Sequence, residues 1–375
     1  MTGLFCRAFW AVFLFSRPGI FNYFIRWRPV LKKKHIGFPG KSEKIPVTLY
    51  TRDKKKRRPV FLFIAGTKFF IQKSRQLNCL AKALAVIGYH VIIMDDAANT
   101  GIKLSGAKTD ILNELVGAVC QDELFDKERI VVAGLDFSSR FVFAFMNDSK
   151  MVDKIRCFLF LSPVADIPAL VKFAYTGRVK FGNRCFHRKS SANLRLLYLY
   201  FMIESFIKTK KSEEISLLFE KLLENRTTEA FKIAQNLDPE TRRLILSIFR
   251  GEMTEEDIRD IINIDKRDLE KLFLPLVPET DIECPIFIIQ SILDEDIDFG
   301  QSHRLINALN SSAGVYLHPT DFITPNGNRT FFSNPARWAL GAFRLTNALY
   351  RIFTHVYSDK NKSYNPTKSA IRIID

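Results

Sequence analysis

An apolar run, Arg129-Ile130-Val131-Val132-Ala133, ends in Gly134-Leu135-Asp136-Phe137-Ser138-Ser139 and passes directly into Arg140-Phe141-Val142-Phe143-Ala144-Phe145. The first run is a strand, the second a helix, and only a sharp turn separates them. A helix that doubles back so tightly on its own strand leaves room only for small side chains around the turn. Gly134, Ser138 and Ser139 meet that requirement. The residue at the tip of the turn is Asp136.

The rest of the chain repeats the alternation of strand and helix. Val47-Thr48-Leu49-Tyr50 reads as an edge strand, and Pro59-Val60-Phe61-Leu62-Phe63-Ile64 as a strand apolar on both faces. Helical spacing over Ser74–Val86 stops at Gly88. His90–Met94 follows as a strand, then a helix near Thr109–Val119, the strand Arg156–Leu161, and later the strands Pro285–Ile289 and Gly314–Leu317. Short buried strands separated by helices predict a doubly wound, mostly parallel α/β sheet. Between Asp166 and Cys284 only helical periods appear, with start signals at Asp238-Pro239-Glu240 and a capping box at Thr254–Asp257. That stretch predicts an all-helical cap inserted between two strands. A last helix spans about Asn334 to Tyr357, and a polar tail follows. The expected division is a basic and aromatic segment 1–44, core 45–166, cap 167–283, core 284–357 and tail 358–375.

Charge is unevenly placed. Of a net +16, residues 1–58 carry fifteen basic residues against two acids, Glu43 and Asp53, leaving the other 317 residues at +3. A nucleic-acid-binding domain would carry its basic patch on the folded surface, so nucleic acid is not an expected partner. The six cysteines are scattered without a Cys-x-x-Cys pair and read as reduced thiols in apolar segments. No motif calls for a metal, nucleotide or redox cofactor, and Gly177–Gly182 is too weak to be a phosphate loop.

The basic end is also aromatic. The apolar run Ala8 to Phe15 lies between Arg7 and Arg17 and is stopped by Pro18-Gly19. It is too short to cross a bilayer, which takes about 20 apolar residues. Trp10, Phe13 and Trp27, with Arg26, Arg28, Lys32, Lys33 and Lys34, suit a segment lying in the interface of an anionic membrane. Two other arrangements fit the segment: a helix packed on the main domain without membrane contact, and a cleaved signal, for which Phe15-Ser16-Arg17-Pro18 is a poor site. The interfacial reading places the protein in the cytoplasm, peripheral on the inner face of the cell membrane.

The strand order, the turn at Gly134–Ser139 and the helical insertion resemble the α/β-hydrolase superfamily over about residues 45–357. Its nucleophile elbow reads Gly-x-Ser-x-Gly. By that resemblance Asp136 stands at the nucleophile position. Haloalkane dehalogenases and epoxide hydrolases of the superfamily use Asp there, attacking carbon to form an ester that water then cleaves. Equally, Asp136 fits an inactivated elbow in which it caps the following helix. Ser138 and Ser139, inside the first helical turn, point away from the exposed position. The segment Ile282–Asp294 resembles the stretch ending in the triad acid, with Gln290-Ser291 where His-Gly is usual. Asp294 matches that acid, Asp296 and Asp298 lie close by, and Asp166 is a second acid position known in the superfamily. The general base is expected after the last core strand, where His318 abuts the strand and Pro319 fixes its direction. The resemblance also implies an oxyanion site from the Phe137 N–H and the slim loop at Gly66 and Thr67.

Three functions remain open. One is a membrane-surface α/β-hydrolase-fold protein with a degenerate site that binds a lipid, an apolar small molecule or a partner protein. The second is an active hydrolase of an apolar ester, epoxide or halide-like substrate using Asp136, with Asp294 or Asp166 and His318, shielded by the cap. The third is a serine esterase or lipase with an unconventional nucleophile.

Overall fold

The computed structural model describes residues 2–16, 32–33, 47–53, 55–64, 71–94, 107–148, 150–181, 184–191, 194–195, 214, 217–218, 221–222, 226–252, 282–309, 314–320, 335–358 and 372–373. Among the described residues the elements run, in chain order, as helix α1 (Thr2–Ser16), strands β1 (Lys32–Lys33), β2 (Val47–Tyr50) and β3 (Arg58–Ile64), α2 (Ile71–Ile87), β4 (His90–Met94), α3 (Ala107–Gln121) and β5 (Phe125–Leu135). Then come α4 (Ser139–Asp148), β6 (Ile155–Leu161), α5 (Ile167–Thr176), β7 (Arg178–Phe181), β8 (Arg184–His187), α6 (Thr227–Gln235) and α7 (Pro239–Arg250). The chain closes with β9 (Ile286–Ser291), α8 (Phe299–Ala308), β10 (Val315–Thr320), α9 (Pro335–Tyr357) and β11 (Arg372–Ile373).

Nine of these strands form one sheet in the order β1-β2-β4-β3-β5-β6-β9-β10-β11. The pairings of β2 with β1 and with β4 are antiparallel. All the others are parallel. Side chains alternate across the pleat. Leu62, Ile92, Val132, Phe160 and Ile288 pack on one face with Leu115 of α3, Phe145 of α4 and Leu305 of α8. Phe63, Ile93, Ala133, Leu159 and Phe287 pack on the other with Ala8 of α1, Leu84 of α2 and Phe353 of α9. Helices on both faces of a mostly parallel sheet, with the middle strands apolar throughout, give the doubly wound architecture that the alternation predicts and that the α/β-hydrolase resemblance implies.

Two short strands depart from expectation. Lys32–Lys33 pairs with Thr48 and Leu49, so β2 is not the sheet's outermost strand. Arg372–Ile373, expected within a loose tail, pairs with Tyr316 and Leu317. A two-residue strand is too short to carry a period, so nothing in the sequence marks either.

Asp166–Lys271 forms a compact unit of its own, against the expected insertion 167–283. It is not all-helical. Arg178–Phe181 pairs antiparallel with Arg184–His187. The signal is in the sequence: polar and apolar residues alternate over Arg178–Phe181, and Gly182-Asn183 gives a two-residue hairpin spacing before Arg184–His187. The helix start at Asp238-Pro239 appears as α7, whereas the capping box at Thr254–Asp257 lies outside the described residues.

Candidate functional site

The chain leaves β5 at Leu135, makes one 3-10 turn over Asp136–Ser138 and starts α4 at Ser139. Asp136 sits at φ 47°, a left-handed conformation that Asp tolerates better than most residues. Gly134 is required by space. A Cβ there would lie 2.7 Å from the Ser139 Cα and 3.1 Å from Val142 Cγ2. The two serines hold the turn through their hydroxyls. Ser138 Oγ lies 2.6 Å from the carbonyl oxygens of Ile64 and Leu135, and accepts the Leu135 N–H at 3.0 Å. It thereby ties the turn to β3. Ser139 Oγ donates to the Asp136 carbonyl and accepts the Val164 N–H at 3.3 Å. Both side chains are buried at 1% and 0% exposure. Neither hydroxyl is presented as a nucleophile.

Asp294 lies in the turn after β9, also buried. Its Oδ1 accepts the N–H groups of Asp296 at 2.9 Å and Ile297 at 3.0 Å. Its Oδ2 accepts the hydroxyl of Ser162 at 2.9 Å. Ser162 ends β6 at φ 48°, the second non-glycine residue with positive φ among those described. Gln290 and Ser291, standing where His-Gly is usual, belong to the same framework. Gln290 Nε2 donates to Ile297 O at 3.0 Å, its Oε1 accepts from Ser302 Oγ at 2.9 Å, and Ser291 Oγ accepts the Leu293 N–H at 3.1 Å. Asp298 accepts from Gln301 Nε2 at 3.3 Å, and Gln301 Oε1 in turn accepts the Ala165 N–H at 2.9 Å. The acids of this loop hold it closed around the ends of β6 and β9.

His318 lies inside β10, not beyond it. Register places it level with the elbow: His318 pairs with Ile289, Ile289 with Leu161, and Leu161 with Leu135. Three strand spacings nevertheless separate β10 from β5, about 14 Å. The ring also faces the α9 side of the sheet. It stacks on Phe287 at 6.3 Å between centroids, and Thr320, two residues on, donates to Gly341 O of α9 at 3.4 Å. Burial, followed by the nearby Arg351 cation, lowers its pKa to about 4. Its Nε2 is buried with no hydrogen-bond partner among the described residues. His318 is thus a neutral core histidine, and the structure does not bring it to Asp136. The next histidine in the chain is His355, so the segment after β10 supplies none before α9.

Asp166, the other acid considered, caps α5 by accepting the Ala169 N–H at 3.0 Å. Of the oxyanion residues, Phe137 is in the 3-10 turn and buried, whereas Gly66 and Thr67 lie outside the described residues. Trp10 and Phe13 are on α1. Lys32 and Lys33 form β1, and Arg26, Trp27, Arg28 and Lys34 lie outside the described residues. Arg140 is a buried cation that sequence reading passed over, fully enclosed one helical turn after Asp136, its pKa pulled down by burial to about 9. A single cation opening the apolar run Phe141–Phe145 was its only signal. Among the described residues no group of His, Cys, Asp or Glu could hold a metal ion, and no helix is long and apolar enough to cross a membrane.

A mostly parallel sheet in this order, with a positive-φ residue on a strand–turn–helix after β5, is an α/β-hydrolase fold. No protein-family model and no curated protein matches the sequence. Among solved structures the chain is similar to Pyrococcus horikoshii acylaminoacyl peptidase, at 14% identity and TM-score 0.45, covering 92% of this chain and 44% of that one. This chain therefore spans less than half the length of that peptidase. It is similar as well to a Pyrobaculum calidifontis esterase, at 11% identity and TM-score 0.44 over 90% of this chain and 91% of that one. A Lactobacillus plantarum lipase/esterase aligns at 12% identity and TM-score 0.40, over 84% and 98%. Likenesses this distant say nothing of activity, and the fold rests on this chain's own topology.

Proposed function

We propose that this is an α/β-hydrolase-fold protein that does not perform serine acyl transfer and that works peripherally at the cytoplasmic face of a membrane, where it binds a lipid or another apolar ligand. The observation that supports this most directly is the use of the elbow's hydroxyls. Ser138 and Ser139 are committed to backbone partners, while the nucleophile position holds a carboxylate. An acyl-transfer cycle needs a serine or thiol paired with a base in hydrogen-bond reach. A fluorophosphonate probe should leave the protein unlabelled at concentrations that saturate a serine esterase. Labelling that maps to Ser138 or Ser139 would overturn the proposal.

A second reading has one observation in its favour: the turn that presents residue 136 is kept, with its positive φ and its crowded glycine. A carboxylate there could attack an electrophilic carbon, displace the leaving group and form an ester on Asp136. Water, deprotonated by a base, would then cleave that ester at its carbonyl carbon. Under this reading a single turnover in H₂¹⁸O leaves the heavy oxygen in Asp136, and Asp136→Asn abolishes turnover. His318→Ala should spare it, because His318 lies out of reach.

A further inference from the structure

The first helix is built inside out for a helix exposed to water. It buries Ala8 and Ala11 at 0% and Val12 at 3% against α2 and α9. Its largest side chains face outward, with Phe9 52% and Trp10 46% exposed. At about 100° per residue, Phe9, Trp10 and Phe13 lie on the side of the helix opposite the stripe Ala8, Ala11 and Val12. These outward rings touch one another: Phe13 packs edge-on against Trp10 at 5.5 Å and alongside Phe9 at 6.4 Å. Alanine on the inner side lets α1 lie close to its neighbours. Further contacts fix it there, since Arg7 Nη1 donates to the Tyr357 hydroxyl at 3.2 Å and Phe5 meets Tyr350 edge-to-face at 5.7 Å. Burial in water would have favoured the reverse arrangement, with the rings inside.

Resting on the membrane reading above, we infer that the Phe9, Trp10 and Phe13 face of α1 is a docking surface for an anionic phospholipid bilayer. Because α1 is packed into the core, the bilayer would hold the whole α/β unit in one orientation instead of on a tether. Charge identifies the occupant. Residues 1–58 contain fifteen basic residues against two acidic ones. A second copy would carry the same excess of positive charge in the sequence that follows α1, whereas an anionic leaflet complements it. At 15 residues, about 22 Å, the helix lies flat in the interface and does not span it.

Deleting the helix would not test this, because it would also uncover α2 and α9. Surface substitutions do. The full chain carrying Phe9→Ser and Trp10→Ser, and a control with Phe186→Ser at an equally exposed ring, would be floated with vesicles of phosphatidylcholine containing one quarter phosphatidylserine. The double variant should bind at least tenfold more weakly at unchanged thermal midpoint, and the control should bind as the parent does. With Trp27 and Trp338 replaced by Phe, Trp10 emission should shift to the blue on vesicle binding and be quenched by brominated acyl chains. If the parent binds no anionic vesicles, the membrane reading itself fails and the docking face with it. If the parent binds but the double variant binds equally, the membrane reading stands and this surface is wrong. A double variant that loses self-association while keeping vesicle binding assigns the face to a second copy and equally overturns the inference.

Discussion

At the end of β5 a carboxylate stands on a left-handed turn that two serine hydroxyls hold in place; at the end of β9 a carboxylate is itself what holds the turn. Both are buried aspartates at the C-terminal edge of one parallel sheet, Asp136 and Asp294. Their surroundings divide them. At the elbow the hydroxyls of Ser138 and Ser139 pin the backbone. In the loop after β9, Asp294 takes two N–H groups and a hydroxyl, so changing it changes the fold. The two strand ends thus use a buried aspartate in two ways, as the residue a held turn presents and as the staple that holds a turn.

The comparison can be broken first at its tightest contact. Gly134→Ala pushes a Cβ to 2.7 Å from a backbone carbon of α4, which cannot move without lifting the helix from β5. Overpacking costs typically about 1–3 kcal/mol, and against unyielding backbone it reaches about 3 kcal/mol or more, enough to unfold a marginal domain. Urea denaturation should show it as a large fall in midpoint. A loss below about 1 kcal/mol would mean that the elbow is looser than its geometry implies.

The next largest effect is expected at Asp294. Asp294→Ala strands the Asp296 and Ile297 N–H groups and the Ser162 hydroxyl in a buried loop, a loss of about 2–4 kcal/mol. Asp294→Asn retains an acceptor oxygen and should recover part of it. Asp136→Ala should cost less than Asp294→Ala, because the Ser138 and Ser139 hydroxyls still bind the elbow's backbone in that variant. Equal losses for the two aspartates, measured by the same denaturation, would erase the distinction between presented residue and staple.

How far these features could be read in advance follows from how local they are. The elbow was legible because its constraint is local: a strand, a turn and a helix within a dozen residues demand small side chains at fixed offsets. The sheet was legible for the same reason, strand by strand. His318 was not. Ending the last strand at Leu317 puts it in a loop, whereas the strand runs on to Thr320 and turns the ring toward α9. Pro319 argues against strand, yet β11 pairs only with Tyr316 and Leu317, so Pro319 stands at an edge where proline is tolerated. The role of Asp294 was equally hidden, because its Ser162 partner lies 132 residues away in the chain.

The smallest expected effect is a pH dependence that separates a core histidine from a catalytic one. His318 and His355 both flank Phe287, at 6.3 and 6.4 Å, and both have pKa values lowered to about 4. Burial is the main cause for each, with Arg351 adding to it at His318 and Arg156 at His355. An unfolded histidine titrates near 6.5, so between pH 6.5 and about 4 the unfolded chain takes up protons that the folded chain refuses. Stability is full above pH 6.5 and falls as pH drops through that window. For His318, which is nearly enclosed, the loss is on the order of 2–3 kcal/mol; the partly exposed His355 adds less. His318→Phe removes the titrating group while keeping a ring against Phe287, and should flatten the fall in denaturation midpoint between pH 6.5 and 4.5. Were His318 a base near Asp136, the carboxylate would raise its pKa above 6.5, and stability would be gained on acidification from that raised pKa down to about pH 6.5 and stay level below it. A midpoint that rises as pH falls toward 6.5, stays level below it, and loses the rise in His318→Phe would therefore place the histidine at the elbow and not beneath α9.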